Sequence, residues 1–306
     1  MDGILPLWKE SGMTSHDCVF KLRKILHTKK IGHGGTLDPD VSGVLPICIG
    51  KGTKVIEYMV DSGKTYEGEI TLGISTTTED ASGDVVEQKS ITTPFPVEKI
   101  DWAMEQMLGE ITQIPPMYSA VKVNGRRLYD YARNGEEVER PKRTALIHSF
   151  ERTSTPQLDK EKGTQSWRFK VVCGKGTYVR TLSVDTGTLL GVPAHMSELV
   201  RTASGGLRQD QCLTLAEVAE KMEAGEINQV LLPIETAVKD FPAFYLTDEQ
   251  YNKVRNGVFL TMKELGITDM PAELIALYHH DLVVSLYKQH EEKSHLLKPS
   301  KVLRNN

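Results

Sequence analysis

The sequence lacks the features of a membrane-spanning or disulfide-stabilised protein. No apolar run approaches the 18 residues that a membrane span needs. The N-terminal segment has no basic stretch followed by an apolar one, as a secretory signal would have. Only four cysteines occur among 306 residues, far apart and without a Cys-x-x-Cys pair, which argues against a disulfide framework and a zinc site. We therefore expect a protein of a reducing compartment, the cytoplasm.

An excess of positive charge is also missing, because 37 Lys and Arg residues stand against 41 Asp and Glu, a net charge of −4. This balance excludes a globally basic nucleic-acid binder but leaves room for local basic surfaces. A hydrophobic fraction of 39% and a charged fraction of 25% are ordinary for a globular protein with a real core. The length suits one large domain, or a large and a small one.

Familiar cofactor and catalytic motifs fail on inspection, and no G-x-S-x-G, H-E-x-x-H or EF-hand motif occurs. Residues 63–65 end like a phosphate-binding P-loop, but Tyr58 occupies the position of its first glycine. A dinucleotide fingerprint beginning at Gly32 fails because Leu37 replaces its third glycine. The pair His279-His280 could be half a metal site, but neighbouring residues of a strand point to opposite faces. We predict a turn or surface role for this pair, and no metal.

The apolar pattern indicates an α+β fold rather than a regular βαβ series. Capping residues and helical spacing predict helices that begin near Thr14 or Ser15, Val97, Thr181, Thr214 and Thr247. Alternation and apolar runs predict strands at residues 66–72, 167–173, 274–278 and 282–287. Residues 119–131 resemble a hairpin about Asn124-Gly125, although residues 128–133 could equally be helical.

A domain boundary is predicted near Phe241-Pro242. Residues 1–240 form the larger predicted domain, and residues 241–306 a small β-rich domain whose apolar runs flank the His279-His280 pair. We expect the basic segment from Lys293 to Arg304 to be frayed.

The Gly-rich segment at residues 32–43, GHGGTLDPDVSG, carries the most informative pattern. Gly, Asp and Pro are typical turn residues, so a long polar turn is one interpretation, which composition alone favours. The other is that the glycines let the backbone approach a ligand closely, with Asp38 presented just before a stiffening proline. A carboxylate presented in this way could act as a nucleophile or base.

A second segment, GKGTYVRT at residues 174–181, follows a predicted strand and leads into a predicted helix. That geometry can present Tyr178 and Arg180 towards a cleft. An arginine beside a buried aspartate would keep the carboxylate ionised and oriented. The alternative is a surface arginine and a core tyrosine, and composition alone favours it.

Together these segments resemble the TruB family of tRNA pseudouridine synthases, in particular its stand-alone members. The resemblance covers most of the chain, from residue 2 to the region of residue 195. Four motifs follow in the family's order: the loop at 32–43 with SGVLP at 42–46, KTY at 64–66, GKGTYVRT at 174–181, and AHMSEL at 194–199. One departure is WKE at residues 8–10, where Asp-Lys-Pro is more usual.

The resemblance implies a mixed-sheet catalytic domain and a small C-terminal RNA-binding domain, for which a PUA-like fold is one option. It also implies that Asp38 is the catalytic residue. The substrate-binding residues that it implies are His33, Tyr66, Tyr178, Arg180 and Leu199. Of these, Arg180 pairs with the catalytic carboxylate and His33 lies beside the flipped nucleotide.

The activity implied by the resemblance is isomerisation of uridine to pseudouridine at position 55, in the T loop of tRNA. No atom is gained or lost, so no cofactor, nucleotide or metal is expected. The base must leave its stack to be reached. Two alternatives are a synthase acting on another RNA, and an RNA-binding or RNA-folding protein with secondary catalysis. Asp38, Tyr66 and Arg180 favour an enzyme, because binding alone needs no buried aspartate.

The expected partner is tRNA, bound through its T arm by a monomer without a protein partner or a membrane. Two basic segments could hold RNA, at residues 21–30 and 126–143. Acidic neighbours dilute the second, so charge counting alone fits a solvated face equally well. The resemblance implies that an insertion at about residues 115–145 grips the T arm, and tyrosines among its arginines suit an irregular RNA loop.

Overall fold

The computed structural model describes residues 1–305, whose secondary structure is a mixture of strands and short helices. The strands are β1 Gly3–Lys9, β2 Ile31–His33, β3 Ser42–Ile49, β4 Lys64–Leu72, β5 Ile74–Thr76, β6 Val85–Gln88, β7 Gly109–Gln113, β8 Lys122–Val123, β9 Arg126–Arg127, β10 Arg143–Arg152, β11 Gln157–Asp159, β12 Thr164–Cys173, β13 Ala194–Ser204, β14 Leu207–Arg208, β15 Ala243–Tyr245, β16 Leu260–Thr261, β17 Ile275–His279, β18 Leu282–Gln289 and β19 Leu296–Val302. The α-helices are α1 Ser15–Ile25, α2 Ile56–Asp61, α3 Val97–Glu105, α4 Leu128–Arg133, α5 Val179–Leu190, α6 Leu215–Glu223, α7 Ile227–Val230 and α8 Asp248–Val254. None of the helices among these residues is long and apolar enough to cross a membrane.

The larger sheet is mixed, as predicted. Its order is β1-β3-β13-β4-β12-β10-β7, with β2, β11 and β14 attached at β3, β12 and β13. Adjacent strands are antiparallel except β3 and β13, which run parallel where Ser42 and Gly43 meet Val200 and Arg201. The Gly-rich loop lies between β2 and β3. The parallel pair therefore sets the end of this loop beside the middle of β13.

Local sequence signals explain where several elements begin and end. The Thr14 hydroxyl accepts from the Asp17 main-chain N–H and the Asp17 carboxylate accepts from Thr14, a capping box that starts α1. Strand β4 alternates, so that Tyr66, Ile70 and Leu72 face the core. Helix α5 ends at Gly191, whose φ of 76° suits glycine. These predicted elements are confirmed.

The segment at residues 119–131 combines both interpretations of its sequence. Strands β8 and β9 form a short hairpin about Asn124-Gly125, whose φ angles of 51° and 81° are those of a tight left-handed turn. Helix α4 follows at once, so the hairpin prediction holds for residues 122–127 and the helical one for 128–133.

The C-terminal residues form a second sheet, in the order β15-β17-β18-β19-β16. The prediction of a frayed segment from Lys293 to Arg304 is wrong. Strand β19 pairs with β18 and β16, and the Arg304 guanidinium binds Glu235 at 2.7 Å. Basic residues within β19 concealed its apolar positions, of which Leu297 is fully buried.

One of the hydrophobic clusters contains residues from both sheets. Ile4 and Val44 of the larger sheet pack in the same cluster as Ala276, Leu286 and Leu303 of the C-terminal region. The Lys54 ammonium also donates to the Val302 carbonyl at 2.8 Å. The boundary near Phe241 stays a prediction, and the structure shows that the two sides of it are in extensive apolar contact.

Leu303 gives a direct test of this shared core. Because its side chain is fully buried between the sheets, we expect Leu303→Ala to lower the free energy of unfolding by about 2–5 kcal/mol. Leu282→Ala, at an exposed position of β18, serves as the control and should cost about 0.5 kcal/mol or less. Urea unfolding measures both, and equal losses would contradict the burial of Leu303.

Candidate active site

A cavity of about 740 Å³ opens where the Gly-rich loop, the β5–β6 loop and the start of α5 meet β13. Residues from each of these elements line it, including Asp38, Asp80, Arg180 and Leu199. The insertion closes another side with Tyr118 and Tyr129. The structure thus brings three residues predicted from the sequence, Asp38, Arg180 and Leu199, into one cavity.

Asp38 and Arg180 form the charged centre of this cavity. The Arg180 Nη2 atom lies 3.0 Å from the Asp38 Oδ2 atom, and the arginine side chain is only 8% exposed while that of Asp38 is 44% exposed. The same guanidinium donates to the main-chain carbonyls of Thr78 and Tyr118, each at 3.0 Å. The arginine is therefore fixed from three sides, and the carboxylate remains open to the cavity.

The environment acts on the pKa of Asp38 in two directions. Burial of its surroundings raises this pKa above the usual value, and the Arg180 guanidinium opposes the rise. The carboxylate of Asp80 raises it further, and this second acid lies 3.8 Å from Arg180. Two carboxylates thus share one buried arginine. No sequence pattern pointed to Asp80, which lies in a loop rich in Thr and Ser.

Tyr66, Tyr178 and His33 are not among the residues that line the cavity. Tyr66 is buried in β4, and Tyr178 is half-buried just before α5. Burial raises the pKa of both phenols, and the nearby charge of Asp38 raises it further. His33 ends β2, and within residues 1–305 no hydrogen-bond partner is found for its buried Nδ1 atom. Burial lowers the pKa of this imidazole.

The glycines of the loop serve packing within the protein. A Cβ atom on Gly34 would lie 2.6 Å from the Met59 side chain, and one on Gly43 would lie 2.4 Å from the Arg201 carbonyl. The loop is therefore pressed against α2 and β13. We expected these glycines to let the backbone approach a ligand. At Gly34 and Gly43 the close neighbours are instead other parts of the protein.

A buried lysine anchors the downstream half of the loop, and sequence reasoning did not identify it as part of the site. Lys9 is fully buried, and its ammonium donates to the carbonyls of Pro39 and Val41 at 3.0 and 2.7 Å. Burial lowers its pKa, while Asp38 is among the acids that oppose this. The sequence feature that could have indicated a buried lysine is its position at the end of the apolar strand β1.

The arginines of the insertion differ in their availability. Arg126 makes two hydrogen bonds to Glu136, at 2.8 and 3.0 Å, and lies over the Tyr131 ring. Arg127, next in the chain, is exposed and lines the cavity. Arg140 donates to the Pro115 carbonyl and holds the base of the insertion. The exposed residues 127 and 129 therefore face the cavity mouth.

His279 is the last residue of β17 and His280 lies in the hairpin turn, so the predicted turn role fits His280. The rings nevertheless lie on the same side, with centroids 4.0 Å apart and planes tilted by 32°, at a turn where His280 and Asp281 have φ angles of 46° and 62°. Asp248 completes a group of possible ligands, with one of its oxygens 2.8 Å from His279. The candidate ligand atoms of these three residues lie within 4.8 Å of one another, and the expectation of no metal here stays a prediction.

Comparison with solved structures defines the class of protein. The chain is similar to a chain of the crystal structure of a Cbf5-Nop10-Gar1 complex, with a TM-score of 0.75 and 29% identity over 99% of this chain and 85% of that one. It is also similar to a chain of an H/ACA RNP bound to a substrate RNA containing 2′-deoxyuridine, with a TM-score of 0.73 and 28% identity over 98% and 84%. The fold is that of a pseudouridine synthase.

Sequence comparison identifies the family. The model of the TruB family pseudouridylate synthase N-terminal domain matches residues 23–179, and that of the tRNA pseudouridylate synthase B C-terminal domain matches residues 180–239. The chain is 52% identical to a protein named tRNA pseudouridine synthase B from Bacillus pumilus (strain SAFR-032), over 99% of this chain and 98% of that protein. It is 55% identical to a protein of the same name from Streptococcus sanguinis (strain SK36), over 99% of both chains. The chain belongs to the TruB family of pseudouridine synthases, which are isomerases.

Proposed function

We propose that this protein converts uridine to pseudouridine at position 55, in the T loop of tRNA. The relatives that it matches over nearly their whole length are named for a tRNA substrate. The observation that carries the proposal is the Asp38–Arg180 pair, joined at 3.0 Å inside a cavity that also presents Leu199 and tyrosines. We propose further that the protein acts as a cytoplasmic monomer.

The chemistry requires one ionised carboxylate and a pocket for a flipped base. The N1–C1′ bond breaks, the uracil rotates, a C5–C1′ bond forms, and the hydrogen at C5 is lost while N1 gains one, so atoms balance without a redox step. Asp38 supplies the carboxylate, whether it attacks the sugar, removes a sugar proton or adds to the base. Arg180 keeps this carboxylate oriented and ionised.

The surrounding residues would hold the flipped uracil. Leu199 supplies an apolar wall of the cavity, and Tyr66, buried beside it on neighbouring strand β4, supplies an aromatic face once the base enters. Tyr178 borders the same carboxylate. His33, with its unpartnered Nδ1 atom, acts next to the flipped nucleotide.

Mapping of pseudouridine in tRNA incubated with the purified protein tests the proposal. We expect modification at position 55, and none in a transcript with cytidine there. Activity should persist in excess EDTA when a polyamine keeps the tRNA folded. Modification only elsewhere, or only in another RNA, would reject the proposed site while retaining the enzyme class.

The pKa of Asp38 predicts the pH dependence. Because burial raises it above the usual 3.8, and because the carboxylate must be ionised, kcat/KM should fall with decreasing pH along a limb that lies above that value. Asp80→Asn removes a charge that raises the pKa of Asp38, so the limb should move to lower pH. Asp84→Asn, on the same loop, is the control and should leave it in place. An unshifted limb in Asp80→Asn would contradict this electrostatic account.

We propose that residues 1–240 carry the chemistry, that residues 241–306 assist RNA binding, and that the basic segments contact phosphates. Lys29 and Lys30 are exposed just before β2, and Arg127 lies at the cavity mouth. The ion pair of Arg126 with Glu136 makes that arginine less available for RNA than the sequence indicates.

Charge reversal tests these phosphate contacts. The double variant Lys29→Glu/Lys30→Glu should weaken tRNA binding about tenfold or more. The slope of log Kd against log salt concentration should become shallower by about one for each lost phosphate contact. The rate at saturating tRNA should change by less than about threefold, because these lysines lie outside the cavity. Lys162→Glu, an exposed lysine paired with Asp159 and outside the cavity lining, is the control. Unchanged affinity and slope in the double variant would refute the contact.

A further inference from the structure

Arg201 lies at the centre of β13, and its side chain is fully buried. Its guanidinium donates to three main-chain carbonyls: Nε to Val44 at 2.9 Å, Nη1 to Thr36 at 3.1 Å, and Nη2 to Gly35 at 3.2 Å. Within residues 1–305 no carboxylate forms an ion pair with it. A charge in this position is costly to bury, and an apolar residue of similar volume is usually the more stable choice. Fold stability alone therefore does not account for an arginine here.

The three carbonyls show what this arginine controls. Gly35 and Thr36 lie just upstream of Asp38 in the Gly-rich loop, whereas Lys9 holds Pro39 and Val41 just downstream. The loop is thus fastened on both sides of the carboxylate by buried cations. Upstream, the Gly34 N–H also donates to the Pro46 carbonyl, and the Leu37 N–H donates to the Ser15 hydroxyl.

Arg201 also adjoins Tyr66. Strands β4 and β13 pair Arg201 directly with Tyr66, and the guanidinium is close enough to lower the pKa of the phenol against the effect of burial. One buried side chain therefore touches the loop that carries Asp38 and the strand that carries the proposed uracil-stacking tyrosine.

We propose that Arg201 is a positioning residue for pseudouridine formation, which sets the placement of Asp38 relative to Tyr66 by fastening the loop to β13. This inference rests on the proposed function, because Asp38 and Tyr66 have their roles from it. Arg201 does not touch the substrate. It acts through main-chain atoms, and displacement of a reacting group by about 1 Å can cost a hundredfold in rate.

The test compares Arg201→Met and Arg201→Lys with Lys54→Met. Lys54 is the control, since it is a partly buried cation whose ammonium also donates to main-chain carbonyls, those of Val302 and Leu303 at 2.8 and 3.2 Å, on the side of the C-terminal sheet. Three quantities are measured well below the unfolding temperature of every variant: the Kd for tRNA, the single-turnover rate, and hydrogen exchange of the amides at residues 34–41.

We expect Arg201→Met to lower the single-turnover rate about a hundredfold and to accelerate exchange in the loop, with Kd changed less than about threefold. Arg201→Lys keeps the charge but cannot reach three carbonyls, so it should recover about tenfold of the loss. Lys54→Met should keep its rate within about threefold of wild type, because its contacts are with the C-terminal sheet.

Two results would overturn the role of Arg201: rates in both Arg201 variants within threefold of wild type, or an equal loss of rate in Lys54→Met. If Arg201→Met does not fold, Arg201→Lys decides by the same measurements. Failure of the proposed function is a separate outcome, because it is seen in wild-type protein that forms no pseudouridine in tRNA, whereas Arg201 is judged only by ratios to wild type.

Discussion

Replacement of Asp38 by alanine is expected to abolish pseudouridine formation, with a loss of at least about 10⁴-fold in single-turnover rate. The reason is that the Asp38 carboxylate faces the cavity and lies 3.0 Å from the buried Arg180 guanidinium. Asp38→Asn keeps the shape and should be equally inactive, provided that deamidation is excluded by mass spectrometry. Affinity for tRNA should stay within about threefold, because the proposed phosphate contacts are at other residues.

The control for this experiment is Asp40→Asn. Asp40 is an exposed carboxylate on the same loop, two residues further on, and it also lines the cavity; among residues 1–305 no arginine forms an ion pair with it. We expect its variant to keep the rate within about fivefold. Turnover by Asp38→Ala at a rate near that of wild type would remove Asp38 from the mechanism, whatever the behaviour of Asp40→Asn.

Removal of the Arg180 guanidinium should have the next largest effect. Arg180→Met leaves Asp38 and the carbonyls of Thr78 and Tyr118 without their donor, and we expect a loss of about 10³-fold in rate. Since Arg180 lowers the pKa of Asp38, its loss raises that pKa. The acid limb of the rate should therefore move to higher pH, and Arg180→Lys should lie between wild type and Arg180→Met.

Arg152→Met is the matched control for Arg180. Arg152 forms a two-point ion pair with Asp101, at 2.8 and 3.0 Å, on β10 and away from the cavity lining. Its loss should leave rate and pH profile unchanged, although it removes an equivalent number of charged hydrogen bonds. If Arg180→Met lost rate without any shift of the acid limb, its influence on the ionisation of Asp38 would be disproved.

Local sequence patterns predicted much of the fold because they report interactions between residues near in the chain. The capping boxes at Thr14 and Thr214, the alternation of β4 and the glycine after α5 all involve neighbours within about four residues. The segments that contain Asp38 and Arg180 could be singled out in the same way. Their proximity could not, because 142 positions of chain separate them, and only the resemblance to a family implied the pair.

Other features depend on contacts that no local pattern reports. Strand β19 looked like a basic tail because its burial depends on β18, β16 and the larger sheet. The close approach of the His279 and His280 rings follows a turn in which His280 and Asp281 both have left-handed φ angles. Asp80 comes close to Arg180 only because the β5–β6 loop packs beside the start of α5.

The sequence by itself determined the α+β class, the helix caps, the Gly-rich loop and the identity of the candidate carboxylate, since each depends on residue type and short-range spacing. Only the tertiary structure decided which charges meet. It placed Arg180 against Asp38 and Asp80, and it buried Lys9 and Arg201 under opposite halves of one loop. The physical reason is that burial and electrostatic pairing depend on distance in space, which strands far apart in the chain establish when they join one sheet.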